Sequence, residues 1–249
     1  EAGARAPMSL PAPAGQLDVE ALFVRPTPQA APAVTGVNFT ARPGEVLAIT
    51  GPNGAGKTTL VRTLVGALRP EGGTVRLEGA DLTAWDNEEV GPYIGYLPQQ
   101  VPVFAGSIAE NIARLGPIDP PAVVRAAKLA GLHPHVLSRP AAYDTVLSPT
   151  GRELPGGLRQ QLGLARAFYG DVRCVILDEP SASLDGASEQ ALCATLRRLA
   201  RRGVTVVTVT HANQVLRATD RILVLDEGRV RALGPTHRVL PRLVPAEAA

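Results

Sequence analysis

From Leu17 onward LDVEALFV alternates apolar and polar positions, the pattern of a strand at the edge of a sheet. VTGVNFTA predicts a second strand, with RPGE as the turn after it. EVLAIT is a short β-branched run that stops at Gly51, and TTLVRTLVGAL behind it has helical spacing. TVRLEG predicts a strand after the Gly72-Gly73 turn. The pattern then changes: between about Ile108 and Gly170, IAENIARL, PPAVVRAAKLAGL and LRQQLGLARAFYG all predict helices. Buried-strand runs return in CVILDE and GVTVVTVT, separated by the helical SEQALCATLRRLARR. ILVLDEGRVRAL predicts a hairpin around Glu227-Gly228. Strand, helix and strand alternate in the last third, which favours a parallel sheet with flanking helices. The helical middle reads as a lobe inserted into that α/β core.

A chain of 249 residues fits one domain, or one domain with an inserted lobe. Hydrophobic residues make up 45% and charged residues 19%, enough apolar material for a packed core. Lys and Arg number 25 against 23 Asp and Glu, a net charge of +2, too balanced to suggest a nucleic-acid binder. No apolar run approaches the ~18–20 residues of a membrane span. The opening EAGARAPMSLPAPAG has no apolar signal segment and reads as a linker, and a start at Glu1 suggests a piece of a longer polypeptide. Cys174 and Cys193 form neither a metal set nor a disulfide framework, as expected of reduced thiols. His133 and His135 read as surface residues, and Trp85 as a packing residue.

The chemistry begins at Gly51. GPNGAGKT, Gly51 to Thr58, matches G-x-x-x-x-G-K-[ST], follows a strand and opens a helix. Gly51, Gly54 and Gly56 let the backbone turn its N–H groups toward phosphate oxygens. The helix start adds its positive dipole end, Lys57 a mobile cation, and Thr58 a hydroxyl for Mg²⁺. Asp178 and Glu179 end the run CVILDEP, so they lie at the sheet's C-terminal edge and face opposite ways. Asp178 is expected to reach Mg²⁺ directly or through a water, and Glu179 to polarise an attacking water. His211 ends GVTVVTVTH, in position to approach the terminal phosphate.

In that order and spacing, GPNGAGKTT, YLPQQ, LPGGLRQQ, VILDEPSASLD and VTH resemble the nucleotide-binding domain of an ABC transporter. The resemblance runs from Leu17 to about Leu240, and IGYLPQQVPVFAGSIAENIARLG is most similar to the ATPase half of bacterial type I secretion exporters. It implies a P-loop NTPase core, mostly a parallel sheet flanked by helices, with an N-terminal antiparallel β subdomain and an inserted helical lobe. The lobe is expected at about 100–170, a linker from a preceding membrane domain at 1–16, the ATPase domain at 17–240 and a flexible tail at 241–249. It implies ATP and Mg²⁺, with nucleotide contacts from Gly51, Pro52, Asn53, Gly54, Ala55, Gly56, Lys57, Thr58 and Thr59. Gln99 becomes the Q-loop glutamine that touches Mg²⁺ and the membrane domain, and Thr58, Gln99 and Asp178 the metal-side residues. Glu179 becomes the catalytic base, His211 the switch histidine and Asp185 the D-loop aspartate at a dimer interface. A head-to-tail dimer follows, with each ATP between one phosphate loop and the partner's signature motif. The remaining implied partners are a fused or associated transmembrane domain, a membrane fusion protein and an outer-membrane channel. The implied location is the cytoplasmic face of the bacterial inner membrane.

Three positions depart from that pattern. The family's L-S-G-G-Q stands here as Leu154, Pro155, Gly156, Gly157, Leu158, so Pro155 supplies neither hydroxyl nor N–H to a partner's ATP. Pro suits the first turn of a helix, so the LRQQLGLARAF helix is expected to persist and the composite site to be weakened. Ser148 and Pro149 occupy the family's Gly-Glu positions before the signature, which touch the membrane domain. Arg25 stands where an adenine-stacking aromatic is usual, with Phe23 close by; stacking and a solvated surface Arg both remain open. Two functional readings follow beside the export motor: a module that closes on ATP and hydrolyses it slowly, and one half of a heterodimer.

Overall fold

The computed structural model describes residues 14–82 and 90–243. Trp85 lies outside the described residues. The chain starts with β1 (Leu17–Val24), β2 (Val34–Ala41) and β3 (Val46–Thr50), then the phosphate loop and α1 (Lys57–Leu64). β4 (Gly72–Leu77), β5 (Ala80–Asp81) and β6 (Ile94–Leu97) follow. A helical stretch holds β7 (Gly106–Ser107), α2 (Ile108–Ile112), α3 (Pro120–Leu129), α4 (His133–Leu137), β8 (Val146–Leu147) and α5 (Gly156–Ala167). The last third holds β9 (Cys174–Asp178), α6 (Gly186–Ala200), β10 (Thr205–Val209) and α7 (Asn213–Arg217). β11 (Arg221–Asp226), β12 (Arg229–Pro235) and α8 (Thr236–Leu243) close it.

One sheet is antiparallel with order β2-β1-β4-β5; the largest has order β12-β11-β3-β10-β9-β6 and is parallel except for β12; β7 and β8 form a short antiparallel pair of their own. Every residue of β3, β9 and β10 is buried, which explains why these strands read as unbroken apolar runs. Their alternate side chains divide the core. Val175 and Leu177 pack with the helical stretch, while Cys174 and Ile176 pack with α1 and the antiparallel sheet. Burial pushes the Cys174 thiol up to about 12, so it behaves as a small core residue.

β1 is not an edge strand: it pairs with β2 on one side and β4 on the other, with bulges between Val19 and Phe23. The alternation is real, but it reports the two faces of a strand and not its lateral neighbours. The hairpin around Glu227-Gly228 forms as expected, with φ of 46° and 73° at those residues. β6, absent from the sequence reading, contains Gly95, where a Cβ would come within 2.0 Å of the Ala167 carbonyl oxygen. β6 and β9 are neighbouring parallel strands, so residues 98–173 form one long crossover between them. That crossover is the helical lobe. Two boundaries shift. Gly15 and Gln16 are held to the core, by Thr205 Oγ1 donating to the Gly15 carbonyl at 2.6 Å and Gln16 N–H donating to Glu78 at 2.6 Å. α8 continues through Leu243, so the expected tail at 241 begins inside a helix.

Candidate functional site

The phosphate loop is wedged between two backbones. At Gly51, φ is 144° and a Cβ would lie 1.8 Å from the Leu225 carbonyl oxygen; at Gly56, φ is 96° and a Cβ would lie 2.0 Å from that of Ala33. Both angle and space therefore require glycine. Gly56 precedes α1 without a side-chain cap, and no acidic residue sits in the first turn, which leaves the first-turn N–H groups for an anion. The Lys57 ammonium donates to the Gly51 carbonyl at 2.7 Å and the Pro52 carbonyl at 2.8 Å. Burial lowers its pKa, against the pull of Glu179 and Asp178. Ala55 is buried, its N–H on the Pro52 carbonyl and its own carbonyl on Gly228 N–H.

A cleft of about 420 Å³ opens beside this loop, and the sequence-predicted Asn53, Gly54, Gly56, Lys57, Thr58, Thr59, Gln99, Asp178, Glu179 and His211 all line it. Asp178 is 1% exposed. Burial raises its pKa, opposed by a hydrogen bond from Thr58 and by Lys57, and its Oδ2 has no hydrogen-bond partner. A buried carboxylate oxygen left unpaired is expensive unless a cation completes it. The Asp178 carboxylate and the Thr58 hydroxyl bonded to it are hard oxygen donors, which fit Mg²⁺ held by few protein groups and phosphate.

Glu179 follows the strand end with φ of 51°, a left-handed conformation unusual for a non-glycine residue. Its N–H donates to the Val209 carbonyl at 2.9 Å, and its carbonyl accepts from Gln160 Nε2 at 3.1 Å. Burial and then Asp178 raise its pKa, with Lys57 opposing. His211 Nε2 lies 3.7 Å from Glu179 Oε1, and burial followed by Lys57 lowers the imidazole pKa, which favours the neutral ring.

The signature residues stand elsewhere. Pro155 occupies the position before the first helical residue of α5, one step earlier than the first turn expected from sequence, and the helix persists. Gly156 borders a second cleft of about 610 Å³, with Arg159, Gln160 and Ser183, across from Gln99 to Pro102. Gln99 thus borders both clefts, while Pro155, Gly156, Gly157 and Asp185 do not reach the phosphate-loop cleft of their own chain. Asp185 accepts from Ser188 N–H at 2.8 Å as the cap of α6, which holds its carboxyl below the usual range. Arg25 pairs with Glu71 at 3.3 Å and lies 5.8 Å from the Phe23 ring centroid. Pro26 and Ala33, not Arg25, line the cleft there. Ser148 bonds Thr150 side chain to side chain at 2.8 Å.

Sequence reading passed over two arginines at the root of the lobe. Arg114 donates to the carbonyls of Gly91, Ile94, Arg166 and Tyr169 at 2.8, 3.2, 3.1 and 3.2 Å. Arg166 donates to the Pro102 carbonyl at 2.9 Å and to the Asn111 carbonyl and side chain at 3.0 Å each, with its guanidinium 4.6 Å from the Phe104 ring centroid. Burial and the neighbouring Arg114 lower Arg166 to about 10. Gln160, also unforeseen, is 5% exposed and reaches the Glu179 turn. The available signal was a polar residue in the buried stretch of α5, a weak one because its partners are backbone.

The family model described as ABC transporter matches residues 34–182. The chain is 41% identical over 97% of its length to the type I secretion system ATP-binding protein PrsD of Rhizobium meliloti, spanning 42% of that protein. It is 35% identical over 93% of its length to the cyclolysin secretion/processing ATP-binding protein CyaB of Bordetella pertussis, spanning 32% of it. Among solved structures, a bacterial Atm1-family ABC exporter with ATP bound matches 99% of the chain at a TM-score of 0.87 and 27% identity, with 45% of that exporter covered. The chain therefore spans less than half the length of these relatives.

Proposed function

The chain belongs to the ABC transporter family, and on that premise we propose that it is the ATP-binding and ATP-hydrolysing motor domain of an exporter. The observation that carries this reading is Asp178, which lines the same cleft as Thr58, Lys57, Glu179 and His211 and whose buried Oδ2 has no hydrogen-bond partner. The loop amides and Lys57 hold the triphosphate, with the ammonium exchanging its bonds to Gly51 and Pro52 for phosphate oxygens. Thr58 and Asp178 would hold Mg²⁺, with Gln99 at the border of the cleft; the metal would supply neutralisation of phosphate charge. Glu179 accepts the proton of the attacking water, a task that its raised pKa suits. Neutral His211 donates to the terminal phosphate while its other nitrogen stays free to accept.

The signature residues lie away from their own chain's cleft, which supports a head-to-tail pair in which a second ATPase domain closes each site. On this reading the motion is delivered to a fused or associated transmembrane domain; in described residues no helix is long and apolar enough to cross a membrane. PrsD and CyaB carry secretion in their names, which supports export of a polypeptide; the proposed setting is a type I system at the inner membrane, and a membrane fusion protein and an outer-membrane channel are part of the proposal alone. Pro155 favours a second reading of the same site, closure on ATP with slow hydrolysis.

Glu179→Gln tests the assignment. Steady-state hydrolysis is expected to fall about 100-fold or more while ATP binding persists. Undiminished turnover in that variant removes Glu179 as the base.

A further inference from the structure

Glu179 stands in a backbone conformation that L side chains rarely adopt, and such a residue persists only when its surroundings over-determine it. On one side its N–H is tied to β10 through the Val209 carbonyl at 2.9 Å. On the other, its carbonyl accepts from Gln160 Nε2 at 3.1 Å and from Ala182 N–H at 3.2 Å. The same Gln160 amide nitrogen donates to the Pro180 carbonyl at 3.0 Å. A primary amide has two hydrogens, so one side chain serves two consecutive carbonyls. Pro180 has no N–H to offer the turn, which makes these carbonyl contacts the available restraint on that side. Gln160 is 5% exposed, so water does not substitute for it.

We infer that Gln160 is a positioning residue for the Glu179 carboxylate: its amide fixes the turn from which that side chain enters the cleft and joins it to the helix bearing Gly156 and Gly157. This inference rests on the proposed hydrolytic role of Glu179. Gly156 stands four residues before Gln160, about 6 Å along the helix axis. A displacement of the start of α5, where a second ATPase domain would press, therefore moves the carbonyls of Glu179 and Pro180 with it. Aiming of the base in one cleft is in this way linked to occupancy of the other.

Hydrolysis and nucleotide binding of the purified protein are compared for wild type, Glu179→Gln, Gln160→Met and Gln160→Glu. Methionine fills the same space without a donor, so Gln160→Met is expected to lower kcat by about tenfold or more, with KM and nucleotide affinity within about twofold. In Gln160→Glu only the protonated carboxyl donates, and burial beside carbonyls favours that form. Its kcat, divided by that of wild type at each pH, is expected to climb as pH falls from about 8 to about 6. The division removes the pH dependence that both proteins share through Asp178, Glu179, Lys57 and His211, the groups with shifted titrations around this turn. Wild-type kcat in Gln160→Met overturns the inference. So does a flat ratio in Gln160→Glu, a test that needs only that variant and wild type and stands even if Gln160→Met does not fold. Full activity in Glu179→Gln instead removes the reading beneath it.

Discussion

At the C-terminal edge of the large sheet, Asp178 keeps an oxygen without a donor, Glu179 sits in a disfavoured conformation and Lys57 folds back onto its own loop. At the root of the lobe, Arg114 and Arg166 spend their N–H groups on backbone carbonyls and on Asn111, with no carboxylate partner among the described residues. Both regions bury charge, and they do so by opposite rules. The first leaves polar capacity open, which is costly in a dry site and makes sense only if something binds there. The second closes it, so that two guanidinium groups act as cross-braces among carbonyls that irregular backbone would otherwise strand. Burial of charge alone does not separate site from strut; the state of its hydrogen bonds does.

The largest effect is expected at the brace. Arg166→Met orphans the Pro102 and Asn111 carbonyls and should cost about 4 kcal/mol, or roughly 10 °C in melting temperature. Denaturant unfolding measures it, and a loss below about 1 kcal/mol would dissolve the contrast between the two regions. Next comes the signature. Restoring a hydroxyl and an amide through Pro155→Ser with Leu158→Gln should raise ATP turnover about 10- to 150-fold, the worth of roughly 1.5–3 kcal/mol, with nucleotide affinity unchanged. Equal turnover in the two forms would show that Pro155 is not limiting.

The smallest effect is the most diagnostic. Asp178→Asn should stabilise the nucleotide-free protein by about 1 kcal/mol, because it removes a buried charge whose Oδ2 has no hydrogen-bond partner and whose burial outweighs Thr58 and Lys57, while abolishing added stability from Mg²⁺ with ATP. The sign with pH follows from the raised pKa of Asp178. The native form holds that proton more tightly than the unfolded chain, so the destabilisation is full above the folded pKa and fades as pH falls toward the unfolded value. The advantage of the variant should therefore be present at neutral pH and vanish in acid. A variant less stable than wild type at neutral pH would mean that Asp178 is structural.

The site was legible where chemistry demands contiguous residues. Gly51 to Thr59 carries its function within a few positions, and Asp178, Glu179 and His211 each end an apolar run, so strand ends could be located before their neighbours were known. β6 was missed because it is four residues long and contains Gly95, whose value lies in what it lets Ala167 approach. β1 was assigned to an edge because its partner β4 arrives some fifty residues later. Gln160, Arg114 and Arg166 left little trace because they act on carbonyls, which every residue possesses. A buried glutamine on a helix looks, in one dimension, like an exposed one.

The crossover that carries the lobe leaves the sheet after β6 and returns into β9, two strands side by side. The lobe is joined to the sheet there by the chain and, beneath it, by the core it shares with Val175 and Leu177. Arg114 is tied to Gly91 and Ile94 on the sheet side and to Arg166 and Tyr169 on the other. Gln160 makes the further tie, to the carbonyls of Glu179 and Pro180. One side-chain amide thus ties the last helix of the lobe to the turn that carries Glu179.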